Sequence, residues 1–474
     1  MGMRCRLALV TLALGAAAAA LAVTPDQQPL IQKTDFTYLG AFALPQGDFG
    51  GSRFGYGGCG LSFHRNPAGG QATLFMQGHA WYPGQVAQVA VVAEASLVRS
   101  NDWNALPQAS VLQNFSDITE GRLATSIGDG ASVYGMLPYA GRLIVGASMF
   151  YDAGGDQVNS HGVSGLTLAN TGDFQGFFPM NGTANPRSQG GYMTLIPSEW
   201  QALLGGPAVT GKGGLPIIST NGCGPSATVF DPADVGVTNP IPGTTVLFYP
   251  LADPLYAVDS TNGFFVLGTE IVGIAFPRGS RSVLFFGKHG TGPYCYGCGC
   301  DSGTLGSPTC ATTVDCPEYC YDPADGSKGT HAYPYRHQVW AYDATQLVNV
   351  KNGTVQASDV QPYAIWRMDE MDTSGSASMV GAAYDPDSSR LYVAEGYGEE
   401  PHVHVYRIAV PAAEVLGHTR TPARTVSQDI PVAYDLRGRM ARIGDGSGHA
   451  RPSGVVLYRG NTGTAAYTYR RVEP

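Results

Sequence analysis

Side chains that can transfer protons or neutralise a carboxylate are concentrated in a few loops of this 474-residue chain. The stretches GHAWYPG (78–84) and HAYPYRH (331–337) combine histidine with tyrosine, and the second also contains arginine. Histidine and tyrosine can serve as general base and general acid, while arginine neutralises an anion. This combination predicts proton abstraction beside a carboxylate, as in β-elimination on an acidic sugar. The candidate catalytic residues are Arg53, His79, Tyr82, Arg122, His289, Arg336 and His337.

Aromatic residues in the same loops are candidates for ligand binding without catalysis. Tyrosine and tryptophan rings offer rigid area that is apolar on its faces and polar at one edge, which suits sugar rings or a protein surface. A non-catalytic carbohydrate-binding or protein-binding face is therefore an alternative to an enzyme. The expected partner is a polysaccharide or cell-surface glycan. The candidate substrate-binding residues are Trp81, Tyr151, Tyr294, Glu395 and Tyr397.

Carboxylates in these loops allow a third interpretation, hydrolysis of a glycosidic bond by two acidic residues. The two carboxyl groups would have to be about 5 Å apart for a retaining enzyme and about 6.5 to 9.5 Å apart for an inverting one. Capping of turns explains the aspartates equally well. The candidate carboxylates are Asp129, Asp152, Glu270 and Glu395.

The pair His402-x-His404 has the spacing at which two strand residues share a face, so that both imidazoles could bind one metal ion. No third ligand is evident near the pair in the sequence, and alternating polar positions on a strand account for the two histidines. We therefore expect no metal ion and no cofactor.

A recurring pattern indicates the elements that position these loops. The clearest copy is MVGAAYDPDSSRLYVAEGYGEEPHVHVYRI (379–408), in which three short alternating strands are separated by a polar turn and a longer loop. Weaker copies precede it, including a third unit whose second strand is expected at 215–219. Repeated meanders predict an all-β fold, a β-propeller. We predict five blades, closed by strand 36–45 pairing with the last unit; six or seven blades and an irregular β-sandwich stay open as alternatives.

In such a fold, the loops between the second and third strands of every blade emerge on one face. That architecture, together with the His, Tyr and Arg content of the face, resembles secreted bacterial propeller polysaccharide lyases. The resemblance implies a β-eliminating enzyme acting on an acidic polysaccharide. Near the end of the chain, YDLRGR (434–439) and GVVLYR (454–459) resemble the last strands of the sorting modules that some Gram-negative bacteria attach to exported proteins.

The first residues and the cysteines predict an exported protein. Arg4 and Arg6 precede an apolar run that ends in Ala20-Leu21-Ala22, which is typical of a secretory signal peptide. An even number of later cysteines in an exported chain predicts disulfides, with the pairing left open. These cysteines are Cys59, Cys223, Cys295, Cys298, Cys300, Cys310, Cys316 and Cys320.

Composition sets the outer limits of this interpretation. The net charge of −9 and the pI of about 5.5 argue against nucleic acid as a partner, since phosphate binding needs clustered lysine and arginine. No segment after the leader is long and apolar enough to span a membrane, and the oligomeric state stays open. The expected organisation is a signal peptide at 1–22, a propeller at 23–410 with a cysteine-rich insertion at 290–337, a linker at 411–429 and a small β tail at 430–474.

Overall fold

The computed structural model describes residues 23–57, 60–66, 69–152, 154–214, 222–255, 263–301, 316, 318–371, 378–396 and 398–412, together with four short strands beyond residue 430. The chain divides into two compact units, Met1–Glu414 and Val415–Pro474. Within the described ranges, no helix has the length and apolar character needed to cross a membrane. The expected signal peptide and most of the expected linker lie outside the described residues.

The strands form five four-stranded antiparallel units, called sheets I to V, and β1 (Phe36–Ala43) is the first strand in the chain. Sheets I, II and III are separate, whereas a parallel bridge between Gly273 and Ala382 joins IV and V into one nine-stranded sheet that also includes a short two-residue strand. Sheet I contains β2 (Leu61–Arg65), β3 (Ala72–Gln77), β4 (Gln85–Ala90) and β5 (Val111–Asp117). Helix α1 (Leu123–Ser126) then leads to sheet II, which contains β6 (Ala131–Tyr139), β7 (Arg142–Met149), β8 (His161–Gly165) and β9 (Gln175–Phe178).

Sheet III departs from the expected strand positions. Helix α2 (Pro186–Gln189) precedes β10 (Tyr192–Leu195), and α3 (Ser198–Leu204) separates it from β11 (Ala208–Gly211). The second strand of this sheet is β11, which follows α3 and pairs with β10, whereas the segment 215–219, where that strand was expected, lies outside the described residues. The sheet is completed by β13 (Ala227–Phe230) and β14 (Gly243–Leu247), while the short β12 (Gly213–Gly214) pairs with the first strand of the next sheet.

Sheet IV consists of β15 (Glu270–Ala275), β16 (Ser282–Gly290), β20 (Tyr335–Asp343) and β21 (Ala364–Arg367). Between β16 and β20 the chain forms a small lobe of three strands, β17 (Cys295–Cys300), β18 (Tyr319–Tyr321) and β19 (Lys328–His331). Helix α4 (Ala344–Lys351) connects β20 to β21.

Sheet V contains β22 (Met379–Asp385), β23 (Arg390–Glu395) and β24 (His402–Ile408), and β1 is its fourth strand. The pairing of β1 with β24 runs antiparallel from Phe36 opposite Ile408 to Ala43 opposite His402. The N-terminal strand therefore lies where the repeat pattern placed it, at the outer edge of the last unit.

Each of the five sheets packs face to face against the next one. This packing buries the apolar residues that lie on both faces of every sheet. Five separate hydrophobic clusters lie between sheets I and II, II and III, III and IV, IV and V, and V and I. The first strands contact each other in the same cyclic order, β2, β6, β10, β15 and β22. A Cβ on Gly135 of β6 would overlap the carbonyl oxygen of Gly191, so this inner contact requires glycine. The arrangement is propeller-like.

Disulfides staple the lobe between β16 and β20, as the cysteine count predicts. Cys295 pairs with Cys320 and Cys298 with Cys316, and Cys300 is also disulfide-bonded. Cys223 is instead a fully buried free thiol in the core between sheets III and IV. Its assignment to a disulfide is therefore wrong, since it packs as a small apolar side chain. Cys59 and Cys310 lie outside the described residues.

The unit after residue 414 contains two short antiparallel pairs. Strand β25 (Ala433–Tyr434) pairs with β26 (Met440–Ala441), and β27 (Val456–Arg459) pairs with β28 (Tyr467–Arg470). Strand β27 falls within the tract GVVLYR, while β25 overlaps the tract YDLRGR only at Tyr434. Short 3₁₀ helices at Pro25–Gln27, Lys33–Asp35, Glu94–Ser96, Trp103–Ala105 and Pro232–Asp234 complete the described secondary structure.

Candidate functional site

The loops that join the second and third strands of the sheets define what we call the 2–3 face. In the described residues they cover 78–84, 150–160, 212–226, 291–334 and 396–401, with gaps. Backbone hydrogen bonds tie the loops together: the Tyr56 amide donates to the Gly398 carbonyl, and the Ala80 amide donates to the Tyr56 carbonyl. The face therefore places residues from sheets I and V side by side.

His79 lies at the centre of this contact and is only 5% exposed. Its Nδ1 is 3.1 Å from the Trp81 backbone N–H, which donates to it, so the proton of the neutral ring sits on Nε2. Burial, followed by the charge of Arg53, lowers the pKa of His79. His79 is thus held as a neutral hydrogen-bond donor. Its one basic nitrogen, Nδ1, is occupied by the Trp81 N–H, so a role as general base would require that hydrogen bond to break or the ring proton to move to Nδ1.

Exposed aromatic rings surround His79 and continue onto the next sheet. Trp81 is 80% exposed, and Tyr82 and Tyr151 are each 48% exposed. The ring centroids of Tyr56, Trp81 and Tyr82 lie 5.8, 4.9 and 6.1 Å from that of His79. Large apolar side chains that stay in solvent on one face are characteristic of a binding surface.

A buried arginine that was not among the candidate catalytic residues supports the second part of this surface. Arg187 is 2% exposed, and its guanidinium donates to the carbonyls of Met149 and Phe150 at 3.0 and 2.6 Å. The loop with Phe150 and Tyr151 is thereby fixed to α2, with the Phe150 ring left 55% exposed. No local sequence signal distinguishes such an arginine from a surface one.

The two candidate arginines nearest the N-terminus have separate surroundings. Arg53 forms an ion pair of 3.7 Å with Glu399 and lies close enough to His79 to lower its pKa. Arg122 instead packs over the ring of Phe174, just before the outer strand of sheet II. Arg53 is therefore part of the group around His79, and the contact of Arg122 is to a different part of the surface.

The structure separates the candidates on sheet IV that the sequence placed together. Lys288 is directly opposite His337 and His289 is opposite Arg336, so alternation directs His289 and His337 to opposite faces of the sheet. His289 is 1% exposed, bonds Thr269 and lines a cavity of about 610 Å³ beside β21. The structure therefore does not bring His289 and His337 together on one face of the sheet.

A buried cluster of acidic and basic groups lies at the 2–3 end of sheet V. Nε2 of His404 is 3.0 Å from Oε2 of Glu395, and Nε2 of His402 is 3.9 Å from the same oxygen. In the hairpin of β23 and β24, Glu395 is directly opposite His402, and His404 is on the same face two residues on. Hydrogen bonding from His404 and the charges of His337, His404 and His402 outweigh burial and lower the pKa of Glu395 to about 2.

The outer ring nitrogens of this cluster are also engaged. Nδ1 of His402 lies 3.1 Å from the carbonyl of Glu400, and Nδ1 of His404 lies 3.0 Å from the hydroxyl of Tyr38 on β1. The loop 398–401 connects this cluster to Tyr56 and Arg53 of the aromatic group. The sequence spacing predicted that His402 and His404 share a face, but it did not predict Glu395 as their neighbour. The hairpin register of β23 and β24 was the signal that could have revealed it.

A second buried network lies in the disulfide-stapled lobe. Asp322 accepts hydrogen bonds from His331 at 2.7 Å and from Tyr335 at 2.8 Å, while Nε2 of His331 is 2.9 Å from the Ser327 carbonyl. These contacts lower the pKa of Asp322 against burial and raise that of His331. Both nitrogens of His331 and the Asp322 carboxylate are thus used within the lobe, so the network braces the lobe.

The remaining predicted residues have the following positions. Tyr294 is half-buried beside the lobe, and burial raises its pKa. Arg336 donates to the Tyr335 carbonyl at 2.7 Å. Asp152 accepts from the backbone amides of Asp156 and Gln157, and Glu270 faces Lys288 at 4.0 Å. Tyr397 lies outside the described residues.

No protein-family model matches the sequence. No curated protein matches it either. Among solved structures, the chain is similar to the Bacillus subtilis arabinanase Arb43A, with 10% identity and a TM-score of 0.38 over 78% of this chain and 96% of that one. It is also similar to MPT-4, a mannose phosphorylase from Leishmania mexicana, with 8% identity and a TM-score of 0.31 over 77% and 87%. Raptor from Chaetomium thermophilum matches with 11% identity and a TM-score of 0.29 over 78% of this chain and 29% of its own.

Proposed function

We propose that the protein binds a polysaccharide or cell-surface glycan on its 2–3 face. The observation that carries this proposal is the set of solvent-exposed rings around the buried His79. Sugar rings stack on aromatic faces, and hydrogen-bond donors fixed beside those faces orient the hydroxyl groups. Trp81, Tyr82 and Tyr151 supply the faces, while Arg53 and Nε2–H of His79 supply donors.

We further propose that the five sheets are the blades of a closed five-bladed propeller and that the protein is exported. The cyclic order of hydrophobic clusters and the pairing of β1 with β24 support the blade count and the closure. Disulfides in the lobe support export, since such bonds persist in oxidising compartments.

Tryptophan fluorescence gives a direct test of binding. Of the five tryptophans, all in the described part of the chain, four are less than a tenth exposed, and only Trp81 is open to solvent. A glycan that stacks on the 2–3 face should shift the emission of Trp81 to shorter wavelength and protect it from iodide quenching. A panel of acidic and neutral polysaccharides, titrated one at a time, identifies the ligand class.

Two variants make the test specific. Isothermal titration calorimetry is the readout for both variants, because Trp81→Ala lacks the fluorescent reporter. Trp81→Ala should weaken binding at least about tenfold, as expected for truncation of a central aromatic contact. The control is Val237→Ala, which truncates a 76% exposed apolar side chain on the loop between β13 and β14. Unchanged binding by Trp81→Ala, or equal losses in both variants, would refute the assignment of the face.

β-Elimination on an acidic sugar is the catalytic activity we propose for this face if bound glycan is cleaved. Arg53 would neutralise the uronate carboxylate, and Tyr82 is the nearby group that could accept or return a proton. Incubation with uronate-containing polysaccharides should then produce the ultraviolet absorbance of an unsaturated uronate. New reducing ends without that absorbance would indicate hydrolysis, and neither signal would leave a binding protein.

A further inference from the structure

We propose that Glu395, His402 and His404 bind one divalent transition-metal ion, and that zinc is the ion whose preferences the three donors match. Nothing in the glycan-binding proposal requires this site, which lies behind the loop 398–401 and is made entirely from one hairpin. The argument rests on the separation of the donors, on the engagement of the outer ring nitrogens and on the chemistry of the set.

The donor atoms are already close to the spacing of a coordination sphere. Zinc binds imidazole nitrogen and carboxylate oxygen at about 2.0 to 2.1 Å, which places tetrahedral ligands about 3.3 Å from one another. The two measured separations from Oε2 of Glu395, 3.0 Å to His404 and 3.9 Å to His402, lie on either side of that value. All three donor atoms are within 4.8 Å of one another. Side-chain rotations alone can therefore complete the triangle.

The backbone holds these donors in register. Glu395 and His402 are directly opposite in the antiparallel pair, and His404 follows on the same face. The three residues are on the second and third strands of sheet V, which β1 and β22 enclose from either side. A site on adjacent strands is positioned more rigidly than one on loops, so little order has to be created when an ion binds.

The hydrogen bonds of the outer nitrogens resemble those of metal-bound histidines. A ligating histidine usually donates its second N–H to a carbonyl, carboxylate or similar acceptor, which fixes the ring and the tautomer. The Glu400 carbonyl is that acceptor for His402, and the Tyr38 hydroxyl is suitably placed for His404. With an ion bound, the ring protons would lie on Nδ1 and both Nε2 lone pairs would be directed at the ion. Metal binding would displace the proton that His404 shares with Glu395.

The donor chemistry selects the ion. Calcium and magnesium take oxygen ligands, whereas two imidazoles and a carboxylate suit zinc and its neighbours in the first transition row. His404 is fully buried, while the side chains of His402 and Glu395 are 12% and 11% exposed. An ion would therefore reach the site from the side of His402 and Glu395. Three protein ligands leave a position for a further donor.

Binding at this site would also stiffen the edge of the aromatic face. His402 directly follows the loop whose Gly398 carbonyl accepts from Tyr56 and whose Glu399 pairs with Arg53. Immobilising His402 and Glu395 fixes both ends of the loop, so an ion would hold the partners of Tyr56 and Arg53 in place.

Zinc binding by tag-free, chelator-treated protein tests the proposal. Competition against a chromophoric chelator should give one Zn²⁺ per chain. Co²⁺ should bind at the same stoichiometry, and the bound ion should show the visible absorption that is typical of a low coordination number. Loss of a ligand in Glu395→Gln or His404→Ala should weaken Zn²⁺ binding more than about 100-fold, beyond the range seen for supporting residues. Tyr38→Phe, which alters a positioning residue, should weaken it about tenfold.

Matched variants keep the result interpretable. His64→Asn changes a histidine on β2 in sheet I and should leave Zn²⁺ binding unchanged. If the buried His404 variant fails to fold, His402→Gln carries the same expectation at the most exposed of the three positions. Wild-type protein without saturable one-to-one binding, or ligand variants with wild-type affinity, would overturn the proposal. Glycan titrations of the chelator-treated protein show separately whether the 2–3 face binds, so failure of one proposal leaves the other measurable.

Discussion

Acidification should destabilise the unit Met1–Glu414 through one buried histidine, His161. Its ring is completely buried between sheets II and III, with Nε2 3.1 Å from Oγ1 of Thr210 and Nδ1 2.9 Å from Oγ of Ser160. The Thr210 hydroxyl donates to the Gln189 carbonyl, so it accepts from Nε2–H, and Ser160 donates to Nδ1. Both nitrogens are thus satisfied in the neutral ring, and a second ring proton would be buried as a charge with only the Ser160 hydroxyl, turned from donor to acceptor, beside it.

The size of the effect follows from the pKa in the two states. Burial lowers the pKa of His161 from its ordinary 6.5 to about 3 in the folded protein. Between these values the unfolded chain binds a proton that the folded protein does not, so the free energy of unfolding falls as the pH falls, by about 1.4 kcal/mol per pH unit. From about pH 7.5 to pH 5 the loss should be about 2 kcal/mol.

Urea unfolding of the wild type and of His161→Gln at these two pH values isolates this contribution. The glutamine cannot titrate, so its free energy of unfolding should fall about 2 kcal/mol less than that of the wild type over the same interval. Other groups titrate in both proteins and cancel in the comparison. Equal losses in the two proteins would refute the reasoning, because His161 would then not be the group that resists protonation. If glutamine prevents folding, His161→Asn replaces it, since its amide can still donate or accept.

Three further measurements test other features. Gly135→Ala should lower the free energy of unfolding by about 3 kcal/mol or more because its methyl group meets a neighbouring backbone carbonyl, whereas Gly326→Ala, in open space, should be nearly neutral, as judged by urea midpoints. The Asp322–His331 pair should make the lobe most resistant to proteolysis between about pH 4 and pH 6.5. Its stabilisation is lost as the pH falls through the lowered pKa of Asp322 and as it rises through the raised pKa of His331. Cys223, whose pKa burial raises to about 12, should react with iodoacetamide only in urea, and labelling of native protein at the unfolded rate would contradict its burial.

Local patterns predicted the sheets well where strand, turn and strand follow directly. The tract at 379–408 specified β22, β23 and β24 because alternation and turn residues act over short distances. Sheet III was harder, since α3 separates its first two strands and the second strand, Ala208–Gly211, is only four residues long. Its tract GPAVTGKGG lacks the alternation that marks the other strands.

The candidate site also combines residues that a local pattern predicts with residues that only packing and strand register bring together. His79, Trp81 and Tyr82 were predictable because one loop contains them all. The effect of His337 on Glu395 depends on the packing of sheet IV against sheet V, which alternation within either strand does not encode. The opposite orientation of His289 and His337 follows from a strand register across an insertion of more than forty residues, and no local pattern sets that register.

The pairing of β1 with β24 has a consequence for how the protein folds during its synthesis. Tyr38 and His404 are 366 residues apart in the chain, yet their side chains meet. A nascent chain emerges from its N-terminus, so β1 must wait with an unpaired edge until β24 is complete, and such distant pairing is slow to form. Sheet V, and with it the arrangement of Glu395, His402 and His404, can therefore assemble only after the chain has been synthesised at least to Ile408. A truncated product would leave β1 without its partner and would be a substrate for chaperones and proteases, whereas the hairpins of sheets I and II need no such delay.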